Sequence, residues 1–183
     1  MQRLIPTLLC AALLAGCGSD DPESAAPDTA KQETALAGSP APLAKVHSQA
    51  NQLLGGGVGA FEARLRELKG HPVVVNKWAS WCPPCRAEFP YFQKQSVERG
   101  KEIAFLGVDA NDNDADAKKF LKQFPVSFPS YLDPNLEVSA RMKAVAAFPS
   151  TAFYDSKGEL AYVKQGSYAT EEKLAADIER YAR

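Results

Sequence analysis

Apolar residues recur along this chain with two different periods, and each change of period marks an element. Phe61, Leu65 and Leu68 fall at i, i+4 and i+7, one apolar stripe on a helix that closes at Gly70. His71-Pro72 breaks that pattern. Val73 to Ala79 is β-branched and almost unbroken in apolar character, as a central strand covered on both faces should be. Ile103 to Val108 repeats it. Between the two, Cys82 to about Gly100 has helical composition and no Gly until its end, so a strand, helix, parallel strand unit is expected.

Further along, Ala117, Phe120, Leu121 and Phe124 form a second helical stripe that Asp114 can cap. A short strand fits near Ser130 to Leu132, and Asp133-Pro134 can open another helix through Leu136 and Ala140. Thr151 to Asp155 and Leu160 to Lys164 flank the turn Ser156-Lys157-Gly158 and read as an antiparallel hairpin. Thr170 then caps a last helix with Leu174, Ile178 and Tyr181 on one face. Helices alternating with strands, closed by a hairpin, predict an α/β fold in which helices cover both faces of a mixed sheet.

Composition narrows the function more than the fold. The chain has 183 residues, enough for one domain and an appendage, so one site is the default. With 21 Lys+Arg against 22 Asp+Glu there is no basic field to neutralise phosphates, so nucleic acid is not an expected partner. Four Cys and two His are all that metal or redox chemistry could use.

The first residues carry an address. After Arg3, the apolar run Leu8 to Ala15 is too short to span a bilayer but suits the core of a secretory signal. It ends Leu14-Ala15-Gly16-Cys17, which resembles the bacterial lipoprotein signal. That resemblance implies removal of residues 1–16, lipid on Cys17 and a place outside the cytoplasm, anchored to a membrane; Cys10 would leave with the signal. Several acyl chains would be required, since each buried methylene contributes only about 0.8 kcal/mol. Ala, Pro and Ser dominate the following stretch, where Leu36 is the one large apolar side chain before Leu43. Residues 17–44 are therefore expected to be a flexible tether, with the folded domain at 45–183.

The chemical centre is Trp81-Cys82-Pro83-Pro84-Cys85, placed directly after a buried strand and at the opening of a helix. That context makes a C-x-x-C pair informative. Unpaired backbone N–H groups and the helix dipole favour a thiolate at Cys82, the candidate nucleophile. Cys85, one turn on, can attack a mixed disulfide on Cys82 and release the partner. Half of a zinc site is disfavoured, because His47 and His71 lie upstream and 24 residues apart. A purely structural disulfide three residues long would constrain the unfolded chain little. Glu88 shares a helix face with Cys85 and, in a desolvated pocket, could take and return its proton; a solvated surface Glu is the other reading.

These residues closely resemble the thioredoxin superfamily, and within it the extracytoplasmic TlpA/ResA-like thiol-disulfide oxidoreductases. The most specific stretch is Val73 to Pro90, VVVNKWASWCPPCRAEFP, joined by Phe148-Pro149-Ser150-Thr151. The resemblance implies a thioredoxin-like fold with an extra helix and strand before a cis Pro149 that packs against the dithiol. Trp81, Phe148 and Pro149 become substrate-binding candidates, and Pro90 should kink the active-site helix. It places an active-site glutamate at Glu88, while Asn76 stands where cytoplasmic thioredoxins have a buried Asp. Lys77 departs from the apolar residue common there: its stem crosses a covered face to water, or the packing differs. The Val46 to Gly70 segment looks more like a thioredoxin first helix than a TlpA-like hairpin. Asn111 to Asp116 reads as a solvated acidic turn, without the ligand pattern of a calcium loop.

The expected function is exchange of the Cys82-Cys85 dithiol with protein thiols and disulfides. The resemblance points to a reductase, as for apocytochrome c, fed by a membrane thiol carrier. Oxidative folding is the alternative, because extracytoplasmic compartments are oxidising. A metal-holding module on the same fold would want a His after the dithiol, and none follows His71. A peroxiredoxin would show P-x-x-x-T-x-x-C, where this chain has Val75 and Ala79 before Cys82. No cofactor or metal is expected, and the chain is expected to be a monomer.

Overall fold

The computed structural model describes residues 29–183. The signal peptide expected at 1–16 and the lipid attachment at Cys17 lie outside the described residues. Strands β1 (Leu53–Leu54), β2 (Val73–Trp78), β3 (Ala104–Ala110), β4 (Ser130–Asp133), β5 (Ser150–Tyr154) and β6 (Leu160–Gln165) form one sheet in the order β1-β4-β3-β2-β5-β6. The first four pair in parallel, and β5 and β6 are antiparallel. Helices α1 (Thr29–Leu36), α2 (Ala41–His47), α3 (Gly57–Glu67), α4 (Pro83–Arg99), α5 (Asp114–Gln123), α6 (Glu137–Arg141) and α7 (Glu171–Tyr181) surround it. This is the thioredoxin-like mixed sheet expected, with α5 and β4 as the helix and strand before Pro149.

The two mostly apolar runs became the fully buried central strands β2 and β3, covered on both faces, and the polar residues they carry, Asn76, Lys77 and Asp109, are buried with them. Trp78 is the keystone of one face: its ring lies 5.2 Å from Phe89 and 4.9 Å from Phe120, and its Nε1 donates to Ser130 Oγ at 3.0 Å. That contact needs Gly107 beneath it, since a Cβ there would fall 2.1 Å from Ser130 Oγ. Burying such an indole removes enough apolar area to contribute about 2–3 kcal/mol, and its N–H is not left unpaired.

Two expectations need correction, and one strand escaped the sequence reading. Residues 29–44 are not featureless: α1 and α2 lie there, Leu36 and Leu43 are buried, and Gln93 Nε2 on α4 donates to Gln32 Oε1 at 2.9 Å. Packing thus begins ahead of the expected boundary at 45, because Leu36 seats against Gly100 at the end of α4. Helix α5 is capped by Asn113 rather than Asp114; the Asn113 side chain accepts from Asp116 N–H at 3.0 Å. Strand β1 has only two residues, which gives no period to read, and it is fixed instead by pairing with Ser130 and Tyr131.

Candidate active site

Strand β2 ends at Trp78, and the chain turns through Ala79 to Trp81 into α4. Cys82 is the N-cap of α4 in extended conformation, with Pro83 and Pro84 opening the helix, where a missing N–H costs nothing. Cys82 and Cys85 are joined in a disulfide with Cα atoms 5.3 Å apart. Cys82 Sγ accepts the Cys85 N–H at 3.2 Å, one of the orphan donors of the first turn. Cys82 is 2% exposed and Cys85 fully buried, so of the two Cys82 lies nearer the solvent.

Around this pair the structure brings together distant parts of the chain. The Phe148–Pro149 peptide is cis and leads into β5 beside β2. Trp81 is half exposed, its ring 4.9 Å from that of Phe148, and its Nε1 donates to Asn111 O at 2.9 Å. Val145, on the loop before Pro149, is also exposed. Trp81, next to Cys82 in the chain, thus shares an apolar contact with Phe148, the residue before the cis proline.

Glu88 is fully buried, on the turn of α4 after Cys85, and is not a solvated residue. Its Oε1 accepts from Asn76 Nδ2 at 2.8 Å and its Oε2 from the Tyr168 N–H at 2.9 Å. Burial pushes its carboxyl up to about 7, while the two hydrogen bonds and the Lys164 charge hold it from rising further. Asn76 is thus a neutral donor to a carboxyl delivered by α4. Its own Oδ1 is buried without a hydrogen-bond partner, as is Thr151 Oγ1 across the β2–β5 ladder.

Two residues do more here than their sequence context suggests. The Lys77 side chain does not reach water: the residue is fully buried, its Nζ 3.8 Å from the centre of the Phe148 ring and 3.4 Å from Val145 O. Burial lowers its ammonium to about 8, opposed by the Asp133 charge. Asp112, in the loop expected to be a solvated turn, accepts from both the Ser80 N–H and the Ser80 hydroxyl, the latter at 2.9 Å. The Asn111-Asp112 loop therefore fixes the segment that presents Cys82. Next to it, Asp109 is buried with Oδ1 unpartnered, and desolvation together with Asp112, Asp114 and Asp133 pushes its carboxyl up to about 8. The signal for Asp109 was its place at the end of a buried apolar strand.

Among the described residues, no group of three or more His, Cys, Asp or Glu is placed to hold a metal ion. A groove of about 320 Å³ lined by Lys45, Arg64 and Tyr131 contains none of the candidate residues. Its buried Arg64 is engaged by Tyr131 Oη and Gln49. No helix among the described residues is long and apolar enough to cross a membrane.

A C-x-x-C disulfide at a helix N-terminus, a cis proline at the neighbouring strand and this sheet order define the thioredoxin-like class. The sequence profile of the Redoxin family matches residues 25–178, and the chain belongs to that family as a ResA-like protein of the thioredoxin superfamily. It is 35% identical over 107 residues to the thiol-disulfide oxidoreductase ResA of Oceanobacillus iheyensis, covering 57% of this chain and 54% of that protein. The chain spans little more than half the length of the curated relatives it matches. Among solved structures it resembles a candidate thiol:disulfide interchange protein DsbE from Chlorobium tepidum, with 30% identity and a TM-score of 0.57 over 63% of this chain and 83% of that one. DsbF of MTB, solved in mixed oxidized and reduced forms, is similar at 28% identity and a TM-score of 0.58, covering 63% and 85%.

Proposed function

We propose that this protein is a thiol-disulfide oxidoreductase that exchanges its Cys82-Cys85 pair with protein substrates outside the cytoplasm, held at a membrane by lipid on Cys17. The observation that carries this reading is the Cys82-Cys85 disulfide at the start of α4, with Cys82 at the N-cap and the buried Glu88 carboxyl one helical turn after Cys85. The relatives' names, oxidoreductase and interchange protein, support the reaction class.

In the reducing direction, the Cys82 thiolate attacks one sulfur of a substrate disulfide, and the first substrate thiol leaves with a proton from water. The Cys85 thiol passes its proton to the Glu88 carboxylate, and its sulfur attacks Cys82 Sγ. The second substrate thiol departs with the proton that Glu88 returns. Two electrons have then moved to the substrate, and the protein holds its disulfide. A carboxyl balanced near 7 can both take and give that proton at neutral pH. The helix N-terminus favours the thiolate at Cys82. Trp81, Phe148 and Pro149 form the surface on which the substrate chain lies.

The direction we propose is reduction, with cytochrome c precursors as one substrate class and a membrane thiol carrier restoring the dithiol. A reduction potential near the roughly -270 mV of thioredoxin is expected, and one near roughly -120 mV would instead assign the protein to disulfide formation. The reaction class is tested with the full chain, dithiothreitol as donor and insulin as substrate. Cys82→Ser should abolish turnover, and Cys85→Ser should accumulate reducible adducts on Cys82. Turnover surviving in Cys82→Ser would overturn the assignment of the nucleophile.

A further inference from the structure

Lys77 sits where an apolar side chain would pack without desolvating a charge, and its surroundings satisfy it sparsely. An ammonium has three donors to place. In this site it finds Val145 O at 3.4 Å and the face of Phe148 at 3.8 Å, with the Asp133 charge as electrostatic support. Burial of a charge this thinly paired is costly. A hydrophobic core alone does not call for it.

Both of its contacts belong to the loop that leads into Pro149. That loop is tied at its ends: Ala144 N–H donates to Ser139 O at 2.8 Å, Gln165 Nε2 donates to Lys143 O at 3.2 Å, and Ser150 Oγ donates to Ala147 O at 2.7 Å. Between these ties, the Val145 carbonyl and the Phe148 ring meet the Lys77 ammonium. Val145 then turns its side chain to solvent, and the Phe148 ring meets that of Trp81. Strand β2 supplies the anchor, because Lys77 lies opposite Ser150, the first residue after Pro149.

We infer that Lys77 is a positioning residue for substrate docking: its buried ammonium, set against the Val145 carbonyl and the Phe148 ring, holds the apolar surface of Trp81, Val145 and Phe148 in place. The occupant of that surface is an extended, apolar segment of a partner protein beside its disulfide. This inference rests on the proposed function for its substrate, and on geometry alone for its effect on the loop. Its hydrogen bond and its ring contact both go to the loop, so it sets affinity and not the chemical step.

The test compares the wild type with Lys77→Met, which keeps the length and apolar stem but removes the charge. KM for insulin should rise about five- to tenfold, in keeping with loss of a desolvated cation–π contact. Its kcat, and the rate on oxidised glutathione, which is too small to span the surface, should stay within about twofold. Amide hydrogen exchange of residues 143–148 should speed up while that of α7 is unchanged. In a Phe148→Leu background, Lys77→Met should raise KM by less than about twofold more, since its effect passes through that ring. An unchanged KM, an equal loss on both substrates, or full additivity with Phe148→Leu would overturn the inference. If Lys77→Met does not fold, Phe148→Leu alone decides: faster exchange of 143–148 with a raised KM is expected, and no change in either overturns it. A wild type without insulin turnover would sink the proposed function, and the exchange measurement would still decide whether Lys77 holds the loop.

Discussion

Asn76 and Lys77 are neighbours on β2, and alternation sends them to opposite faces of the sheet, each beside a buried ionisable group. On one face Asn76 serves the Glu88 carboxyl, which has a second donor in the Tyr168 N–H; on the other the Lys77 ammonium has one carbonyl and a ring face. The carboxyl is held by two fixed donors from different elements, which suits a group that must exchange a proton without moving. The ammonium is held by the loop it supports, which suits a group that carries no proton in the reaction but shapes a surface. Burial shifts the two in opposite directions, the acid up to about 7 and the amine down to about 8, and both shifts disfavour the charged form.

Glu88→Gln should break the comparison most visibly. Exchange at pH 7 should slow at least about tenfold, and the rate should recover only as pH nears the thiol's own range above about 8.5. Stability of the oxidised protein should change as well. The Glu88 carboxyl ionises near 7 in the folded state against 4.5 in its ordinary state, so the folded protein holds the extra proton between those values. Its favourable contribution is complete below about 4.5 and is lost as pH rises through about 7, a swing of roughly 3 kcal/mol. Urea unfolding at pH 4 and pH 8 should show Glu88→Gln without this part of the slope. Asp109, raised to about 8, keeps a slope of the same sign in the variant. Lys77 acts in the other direction, with stability recovered as pH rises from about 8 to 10.5.

A smaller effect sharpens the same contrast. Asn76→Ala removes the donor to Oε1, so the carboxylate form loses support and the Glu88 titration should move above 7. The expected result is a two- to threefold slower exchange at pH 7 that recovers by about pH 8, earlier than in Glu88→Gln, with about 1–2 kcal/mol lost in stability at pH 8. A pH–rate profile identical to the wild type would mean that Asn76 does not tune the carboxyl.

Local patterns made much of this legible. The runs Val73–Trp78 and Ala104–Ala110, the stripes on α3, α5 and α7, and the C-x-x-C at a strand-to-helix junction all depend on near neighbours in sequence. What stayed hidden is non-local. The Tyr168 N–H that restrains Glu88 arrives from 80 residues away, and Asp112 reaches Ser80 from 32 residues away. Lys77 could be seen to depart from an apolar pattern, but its destination under Phe148 depends on a loop that follows two further strands. Leu36 alone could not announce that α1 packs, because its partner, Gly100, terminates a distant helix.

The central claim is that Cys82 is the sulfur that partners meet while Cys85 waits behind it. The most direct measurement is brief alkylation of the fully reduced chain with limiting iodoacetamide at pH 7, the modified cysteine being located from fragment masses. Modification of Cys82, with Cys85 labelled only after unfolding, is the predicted result. Equal labelling of the two, or Cys85 reacting first, would contradict the account.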